Sequence, residues 1–180
     1  AGTVVVTGSL MSKIPLPTFS SYAAAKHGER GFFNSLRAEL IAKRSPVQIS
    51  MVHPGAINTP VWDQTPSATG HLPRKPPEAY TPQTIAAALV AMAREPRPEM
   101  TVGAEAKALE WLFDYGRGLS DIVFAAMYHY FMSGKRPRES DLNSLWDALG
   151  KGAQGTVPMP RPSLTLPIRV AALPLRALLR

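Results

Sequence analysis

Tyr22 and Lys26 are the residues of this sequence whose types and spacing best suit acid–base chemistry. At about 100° of rotation per helical residue they lie roughly 40° apart, on the apolar stripe of Phe33, Leu36 and Leu40. A phenol has a pKa of about 10, and a cation within about 4–6 Å lowers that pKa. The pair therefore predicts a group that exchanges a proton near neutral pH. Periodicity alone leaves a second interpretation open, a core tyrosine beside a lysine whose ammonium reaches solvent.

Ser9 adds a hydroxyl group at the end of the first apolar run. Residues 2–9 read GTVVVTGS, a β-branched run that predicts a strand buried on both faces. Ser9 stands at the carboxyl end of this strand, where α/β folds place ligand-binding groups. A hydroxyl at that place is suited to hydrogen-bond a substrate oxygen.

The order strand, helix, strand positions these three side chains. A helical pattern follows over residues 20–43, with Ser20 or Ser21 as its N-cap. A second apolar strand covers 47–52 and ends before a Pro-Gly turn. Because such a βαβ unit requires parallel strands and a right-handed crossover, the sequence predicts a parallel sheet.

A long, proline-studded loop and several shorter elements follow the second strand. Thr81-Pro82 opens a predicted helix that ends near Arg94, since proline suits the first helical turn. The remaining predicted elements are a short strand over 99–103 and helices over 105–115 and 119–133.

Composition and charge narrow the possible functions. The 180 residues suffice for one domain with a tail, and the absence of cysteine excludes disulfides and thiolate catalysis. The net charge is +7, but the segment 151–180 holds five of these charges and no acid, so we expect no nucleic-acid partner. No run reaches the roughly 18 apolar residues of a membrane span, and no signal peptide is visible. We expect translation to start before Ala1.

The histidines do not predict a metal site. They share no spacing typical of metal ligands, so we interpret all four as structural or surface residues: His27, His53, His71 and His129.

Three segments together resemble the carboxy-terminal half of the short-chain dehydrogenase/reductases. They read GTVVVTGS, SSYAAAKHGERGFFNSLRAEL and VQISMVHPGAINTP. The Tyr-x-x-x-Lys motif of that family matches Tyr22 and Lys26, and its serine thirteen positions earlier matches Ser9. The Pro-Gly turn after the next strand matches Pro54-Gly55. Tyr-x-x-x-Lys alone is common by chance, but the combination is specific, and it covers about residues 1–115.

The resemblance implies a role for each matched residue. Tyr22 would be the general acid/base on the substrate oxygen, and Lys26 would assist it and hydrogen-bond the nicotinamide ribose. Ser9 would hold the substrate oxygen and stabilise charge that develops on it. Pro54 and Gly55 would shape the turn beside the nicotinamide ring.

The segment after this turn would complete the site. The backbone of Ile57 and the side chain of Thr59 would meet the carboxamide of the cofactor. The loop 56–80 resembles the substrate-covering segment of the family, with Val61 and Trp62 as walls of the substrate pocket. A proline-stiffened surface loop is the alternative interpretation.

The resemblance also implies an α/β fold, the doubly wound parallel sheet of the Rossmann type. This chain would hold its back half, about three strands with their helices, over residues 1–134. A basic, proline-rich and loosely ordered C-terminal extension would cover 135–180. The glycine-rich phosphate loop of the family is missing, so we expect the cofactor-binding half to lie elsewhere. We also expect the first strand to have an unpaired edge, and the isolated 180-residue chain to fold poorly and lack activity.

The function that follows is an NAD(P)-dependent oxidoreductase that interconverts an alcohol and a carbonyl compound, with either NAD or NADP as cofactor. Two alternatives remain: a non-catalytic relative that acts as a binding module, and a membrane-peripheral protein. We expect a cytoplasmic location and a homo-oligomer that forms through the 20–43 helix. Packing against protein is the first interpretation of 119–133, and a disordered or loosely docked tail is that of 164–180, where spaced arginines stand among leucines. Contact with a membrane is the alternative for both segments.

Overall fold

The sheet confirms the predicted parallel arrangement. A computed structural model describes residues 1–64, 70–77, 79–134 and 136. In this part of the chain, three parallel strands lie in the order β1 (Gly2–Thr7), β2 (Val47–Pro54) and β3 (Glu99–Val102). Each of the three apolar runs that predicted a strand forms one. Most of the predicted extension 135–180 lies outside the described residues.

Five α-helices connect and cover the described strands. A single turn of 3₁₀ helix, Leu10–Ser12, follows β1 directly. The helices are α1 (Ser20–Ala42), α2 (Val61–Gln64), α3 (Pro82–Arg94), α4 (Ala104–Tyr115) and α5 (Arg117–Met132). The four-residue α2, inside the proline-rich loop, was not predicted.

The predicted N-cap of α1 was wrong. The N-cap residue is Phe19, whose side chain makes no capping hydrogen bond, and Ser20 and Ser21 already lie within the helix. The ring of Phe19 packs edge-on against Phe131 at 5.4 Å between centroids. This aromatic contact sets where the chain enters α1, so packing overrides the local preference of serine for the cap. The predicted start of α3 is confirmed, since the Thr81 hydroxyl accepts a hydrogen bond from the Thr84 N–H.

Two separate apolar clusters lie around the sheet. The first joins β2 and β3 to α3, through Val52, Ile85, Ala88, Met92 and Val102. The second lies between the segment after β1 and helices α4 and α5, and consists of Leu10, Ile14, Leu16, Ala106, Phe124 and Phe131. The second cluster forms the floor beneath the cavity described below.

The outer edge of β1 has no partner among the described strands. β1 pairs with β2 alone, and the Val4 side chain is 48% exposed. This arrangement agrees with the expected open edge, and the poor folding of the isolated chain stays a prediction. Helix α1 is also largely exposed, and the predicted core stripe of Phe33, Leu36 and Leu40 is only half-buried.

None of the described helices is both long enough and apolar enough to cross a membrane. The predicted helix over 119–133 corresponds to α5, which buries Phe124 and Phe131 while Leu119 and Ile122 stay exposed. The predicted membrane contact through this helix stays a prediction. The other predicted contact, 164–180, lies outside the described residues.

Candidate functional site

A cavity of about 980 Å³ opens at the carboxyl ends of β1 and β2. This end of a parallel sheet is where α/β folds bind their ligands. All eight residues predicted for the site line the cavity: Ser9, Tyr22, Lys26, Pro54, Gly55, Ile57, Thr59 and Trp62. Val61, suggested as a further wall, also lines it.

Ser9 is held by the turn that follows β1. Its hydroxyl oxygen accepts a hydrogen bond from the Met11 N–H at 3.1 Å, and its own N–H donates to the Ser12 hydroxyl at 3.0 Å. The preceding Gly8 N–H donates to the Val52 carbonyl at 2.8 Å, which extends the pairing of β1 and β2 up to the site. The hydroxyl hydrogen of Ser9 is not used in the Met11 contact, so it can be donated to a ligand oxygen.

Tyr22 and Lys26 lie together in the first two turns of α1. The Lys26 Nζ is 6.0 Å from the centre of the Tyr22 ring, and it lies 3.4 Å from the Thr7 carbonyl oxygen at the end of β1. Glu29 binds the same ammonium at 2.7 Å. Tyr22 is 44% exposed, so it borders the cavity and does not belong to the core, the alternative that periodicity left open.

Gly55 allows the turn after β2 to pack tightly against α4. Its N–H donates to the Val102 carbonyl at 2.9 Å. A Cβ atom at this position would lie 3.1 Å from Glu105 Oε1 and 3.2 Å from the Ala106 Cβ. Any side chain here would therefore press on the first turn of α4, and the glycine keeps the cavity wall at this position bare.

Trp62 shapes the backbone of the segment after the turn. Its indole N–H donates to the Ile57 carbonyl at 2.7 Å, and the Thr59 N–H donates to the same oxygen at 3.0 Å. Ile57 also forms an isolated parallel bridge with Tyr80. Trp62, predicted as a wall of the substrate pocket, thus holds the backbone at Ile57, which was predicted with Thr59 to meet the cofactor.

Glu105 is a cavity residue that the sequence did not single out. Its Oε2 accepts a hydrogen bond from the Tyr80 hydroxyl at 2.7 Å. Several of the other lining side chains are apolar: Leu16, Phe19, Leu109, Met127 and Phe131. The position of Glu105 in the first turn of a helix is common for acids, so its sequence position gave no functional signal.

A cluster of charged side chains lies next to the site and was also missed. The Glu99 carboxylate receives two hydrogen bonds from the Arg30 guanidinium, at 2.9 and 3.0 Å, and lies 3.1 Å from the Lys13 Nζ. Burial raises the pKa of Glu99, but hydrogen bonding from His53 and Arg30, together with the Lys13 ammonium, outweighs burial. Its pKa therefore lies well below the ordinary range.

Glu110 completes this cluster from α4. It accepts hydrogen bonds from Lys13 at 2.9 Å and from the Thr101 hydroxyl at 2.7 Å. Burial opposes its ionisation, but these donors prevail, so the pKa of Glu110 is also lowered. Within the described ranges, no three histidine or acidic side chains are grouped so that they could hold a metal ion.

Comparison with known proteins identifies the family. The family model described as short chain dehydrogenase matches residues 1–69. The uncharacterized oxidoreductase YxnA of Bacillus subtilis is 29% identical over 152 residues, which are 82% of this chain and 42% of that protein. The hydroxysteroid 11-beta-dehydrogenase 1-like protein of Xenopus tropicalis is 33% identical over 130 residues, 72% of this chain and 43% of that protein. The chain thus spans less than half the length of both relatives.

A solved structure shows the same fold. The crystal structure of a short chain dehydrogenase from Burkholderia cenocepacia, in complex with NADP, superposes with a TM-score of 0.56 at 22% sequence identity. The superposition covers 69% of this chain and 47% of that chain. It confirms the Rossmann-type α/β fold, in which this chain holds a part of the sheet. Because the family model matches residues 1–69 and the two relatives match 82% and 72% of the chain, this chain belongs to the short-chain dehydrogenase/reductase family.

Proposed function

We propose that the complete protein is an oxidoreductase that uses NAD or NADP to interconvert an alcohol and a carbonyl compound. The observation that carries the proposal is the meeting of Ser9, Tyr22 and Lys26 in one largely apolar cavity. The oxidoreductase name of the Bacillus relative and the NADP complex of the Burkholderia enzyme support it. The small-molecule substrate would enter the same cavity.

The residues present fit a nicotinamide cofactor. Gly55 lets the turn after β2 pack against α4 at the cavity wall, and the Lys26 ammonium lies near the end of β1. Lys26 and Tyr22 would hold the ribose, while Pro54, Gly55, Ile57 and Thr59 would surround the nicotinamide. When bound, the nicotinamide supplies the hydride donor or acceptor.

Tyr22 is the group proposed to move the proton. Its ring is partly exposed at the cavity rim, so its hydroxyl can reach a ligand without a change in α1. The hydroxyl would give a proton to the substrate oxygen in carbonyl reduction and take it back in alcohol oxidation. Lys26, whose Nζ lies 6.0 Å from the centre of the Tyr22 ring, would hold the cofactor beside this hydroxyl.

Ser9 is proposed to hold the substrate oxygen during this transfer. Its hydroxyl oxygen is already fixed by the Met11 N–H, which limits the directions in which the O–H can point. A donor that is fixed before the substrate arrives stabilises the developing negative charge without reorganising. Ser9 would therefore act together with Tyr22 on one oxygen atom.

A Tyr22→Phe variant of the complete protein tests the proposal. We expect turnover of alcohols and carbonyl compounds to fall by at least about 10²-fold, because the proton relay is lost. Cofactor binding, measured by fluorescence titration, should stay nearly unchanged. Tyr128→Phe is the matched control, since Tyr128 is similarly exposed but does not line the cavity. Wild-type rates in Tyr22→Phe would refute the assigned role, and a wild-type protein that binds cofactor without turnover would indicate a binding module.

The proposal extends to a homo-oligomer formed through α1. The Phe32 side chain is exposed, and a Cβ atom at Gly28 or Gly31 would meet nothing within 4 Å. A face of small residues beside an exposed aromatic ring suits close packing of two helices. Sedimentation of the complete protein with Phe32→Glu tests this assembly, and an unchanged sedimentation coefficient would argue against it.

A further inference from the structure

His53 is a fully buried imidazole at the end of β2, immediately before Pro54. Its Nδ1 atom lies 3.1 Å from the carbonyl oxygen of Ser9. A carbonyl oxygen can only accept a hydrogen bond, so Nδ1 carries the hydrogen in this contact. The side chain of His53 on β2 therefore holds the backbone of Ser9, which follows the neighbouring strand β1.

Gly8 gives the imidazole room to reach this carbonyl. A Cβ atom at Gly8 would lie 2.9 Å from His53 Nδ1 and 3.1 Å from the Ser12 hydroxyl oxygen. Both distances are shorter than ordinary contacts, so the ring lies directly against the main chain. The Ser12 hydroxyl also accepts the hydrogen bond from the Ser9 N–H. Both polar groups of the Ser9 backbone are thus held: the carbonyl accepts from His53 and, at 2.9 Å, from the Ser12 N–H, and the Ser9 N–H donates to the Ser12 hydroxyl.

The other edge of the imidazole faces the charge cluster. Its Nε2 lies 3.5 Å from Glu99 Oε2 on β3. Glu99 is fixed in turn by Arg30 of α1 and by Lys13, which Glu110 of α4 also binds. The hydrogen bond to the Ser9 carbonyl needs only the hydrogen on Nδ1. The His53 ring therefore lies between the Ser9 carbonyl and the Glu99 carboxylate, which is itself bound by Arg30 and Lys13.

We propose that His53 is a positioning residue that sets the direction of the Ser9 hydroxyl through the Ser9 carbonyl. The inference rests on the proposed function, because it assigns Ser9 a part in the reaction. It replaces the sequence-based interpretation of His53 as a merely structural residue. A hydrogen-bond donor that is displaced by a fraction of an ångström loses much of its effect on a developing oxyanion, so the support of Ser9 should appear in the rate of the chemical step.

Two substitutions in the complete protein separate positioning from packing. His53→Asn places an amide N–H near the position of Nδ1, and His53→Leu fills the space without a donor. We expect His53→Leu to lower kcat by about 10- to 100-fold, with little change in cofactor affinity. His53→Asn should retain kcat within about threefold of the wild type. If the asparagine variant loses as much activity as the leucine variant, the proposal is wrong.

Two controls address loss of stability and the route of the effect. Ile85→Ala removes buried contacts in the α3 cluster, away from Ser9, and should leave kcat unchanged below its melting temperature. If His53 acts through Ser9, the double variant of Ser9→Ala and His53→Leu should be no slower than Ser9→Ala alone. Independent, multiplying losses would overturn the positioning role.

A readout without turnover distinguishes the failure of this inference from failure of the proposed function. In protein labelled with ¹³C and ¹⁵N, the buried His53 Nδ1–H should exchange slowly with water and show a scalar coupling across the hydrogen bond to the ¹³C carbonyl of Ser9. Absence of this coupling would sink the inference even in an active enzyme. A wild-type protein that shows the coupling but turns over no alcohol or carbonyl compound would instead refute the proposed function. The contact between His53 and Ser9 would then have no catalytic role.

Discussion

The Lys26 Nζ lies 2.7 Å from Glu29 Oε2, so the ammonium that we propose to hold the cofactor already has an anionic partner on the same helix. The two residues are three positions apart, the spacing at which side chains of one helix face meet. Both side chains are partly buried, so this ion pair is less screened by water than an exposed one. A ribose that binds Lys26 must share or displace Glu29.

Glu29→Gln should strengthen cofactor binding by about three- to tenfold. The substitution removes a competing charge while it keeps the length of the side chain, so Lys26 is freed for the ribose. Fluorescence titration with NADH and NADPH measures the change, and Glu39→Gln, an exposed acid farther along α1, is the control. Weaker binding in Glu29→Gln would show that Glu29 orients Lys26 and does not compete for it.

Gly8→Ala and Gly28→Ala should change stability in opposite directions. At Gly8 the new methyl group would lie 2.9 Å from His53 Nδ1, so we expect a loss of about 1–3 kcal/mol in the free energy of unfolding. At Gly28, within α1, a Cβ atom meets nothing within 4 Å of this chain, so alanine should add about 0.5–1 kcal/mol in the Phe32→Glu background, in which no second helix packs on this face. Urea unfolding of the two variants checks both signs. A neutral Gly8→Ala would mean that the His53 ring is free to move aside.

Acid should destabilise the fold through Glu99 and Glu110. Both carboxyls have a lowered pKa in the folded state, so the unfolded chain takes up protons first as the pH falls below about 4.5. Their contribution is complete above that pH and is lost as the pH falls through the lowered values. We expect the free energy of unfolding to decrease from pH 6 to pH 3.5, as measured by urea titration.

Glu99→Gln should reduce this pH dependence and also lower stability at neutral pH. The variant leaves Lys13 and Arg30 beside a neutral amide, which costs on the order of 3 kcal/mol for a largely buried ion cluster. Arg30 is partly exposed, so water offsets some of this cost. An unchanged difference between pH 6 and pH 3.5 would show that other carboxyls dominate acid unfolding.

Trp62→Phe should weaken cofactor binding by about fivefold. Phenylalanine keeps the aromatic wall of the cavity but lacks the N–H that donates to the Ile57 carbonyl, a hydrogen bond worth about 1 kcal/mol. Trp111→Phe is the control, since Trp111 is exposed on α4 and does not line the cavity. Equal cofactor affinity in the two variants would contradict a role for Trp62 in shaping the Ile57 backbone.

The fold was predictable where local chemistry and packing agree. The run of valines in β1 and the Thr81-Pro82 start of α3 each carry a strong local signal, and both elements form where predicted. The start of α1 was wrong by one or two residues, because Phe19 contacts Phe131 more than a hundred positions away. The capping preferences of neighbouring residues do not reflect a contact between residues so far apart in the sequence.

The site was predictable only in the residues that a motif marks. Ser9 and Tyr22 line one cavity, as their spacing and the resemblance led us to expect. The contact of His53 with Ser9 joins residues 44 positions apart, and the Arg30 pairing with Glu99 spans 69 positions. The sheet and α1 bring these distant residues together, so neither the spacing of residues nor the composition predicts the two contacts. The pair of Lys26 and Glu29, by contrast, was visible in the sequence and was overlooked.

The two walls of the cavity are attached to the protein in different ways. Charged groups tie the wall that carries Tyr22 to β3, whereas the opposite segment is joined through the main-chain bridge of Ile57 and Tyr80 and a hydrogen bond from Tyr130 to the Lys75 carbonyl. An engineer could therefore vary His71, Pro73 and Pro76, which line the cavity from this segment, to accept differently shaped molecules without changing the residues proposed to move the proton. Selection for new substrates would begin with these three positions.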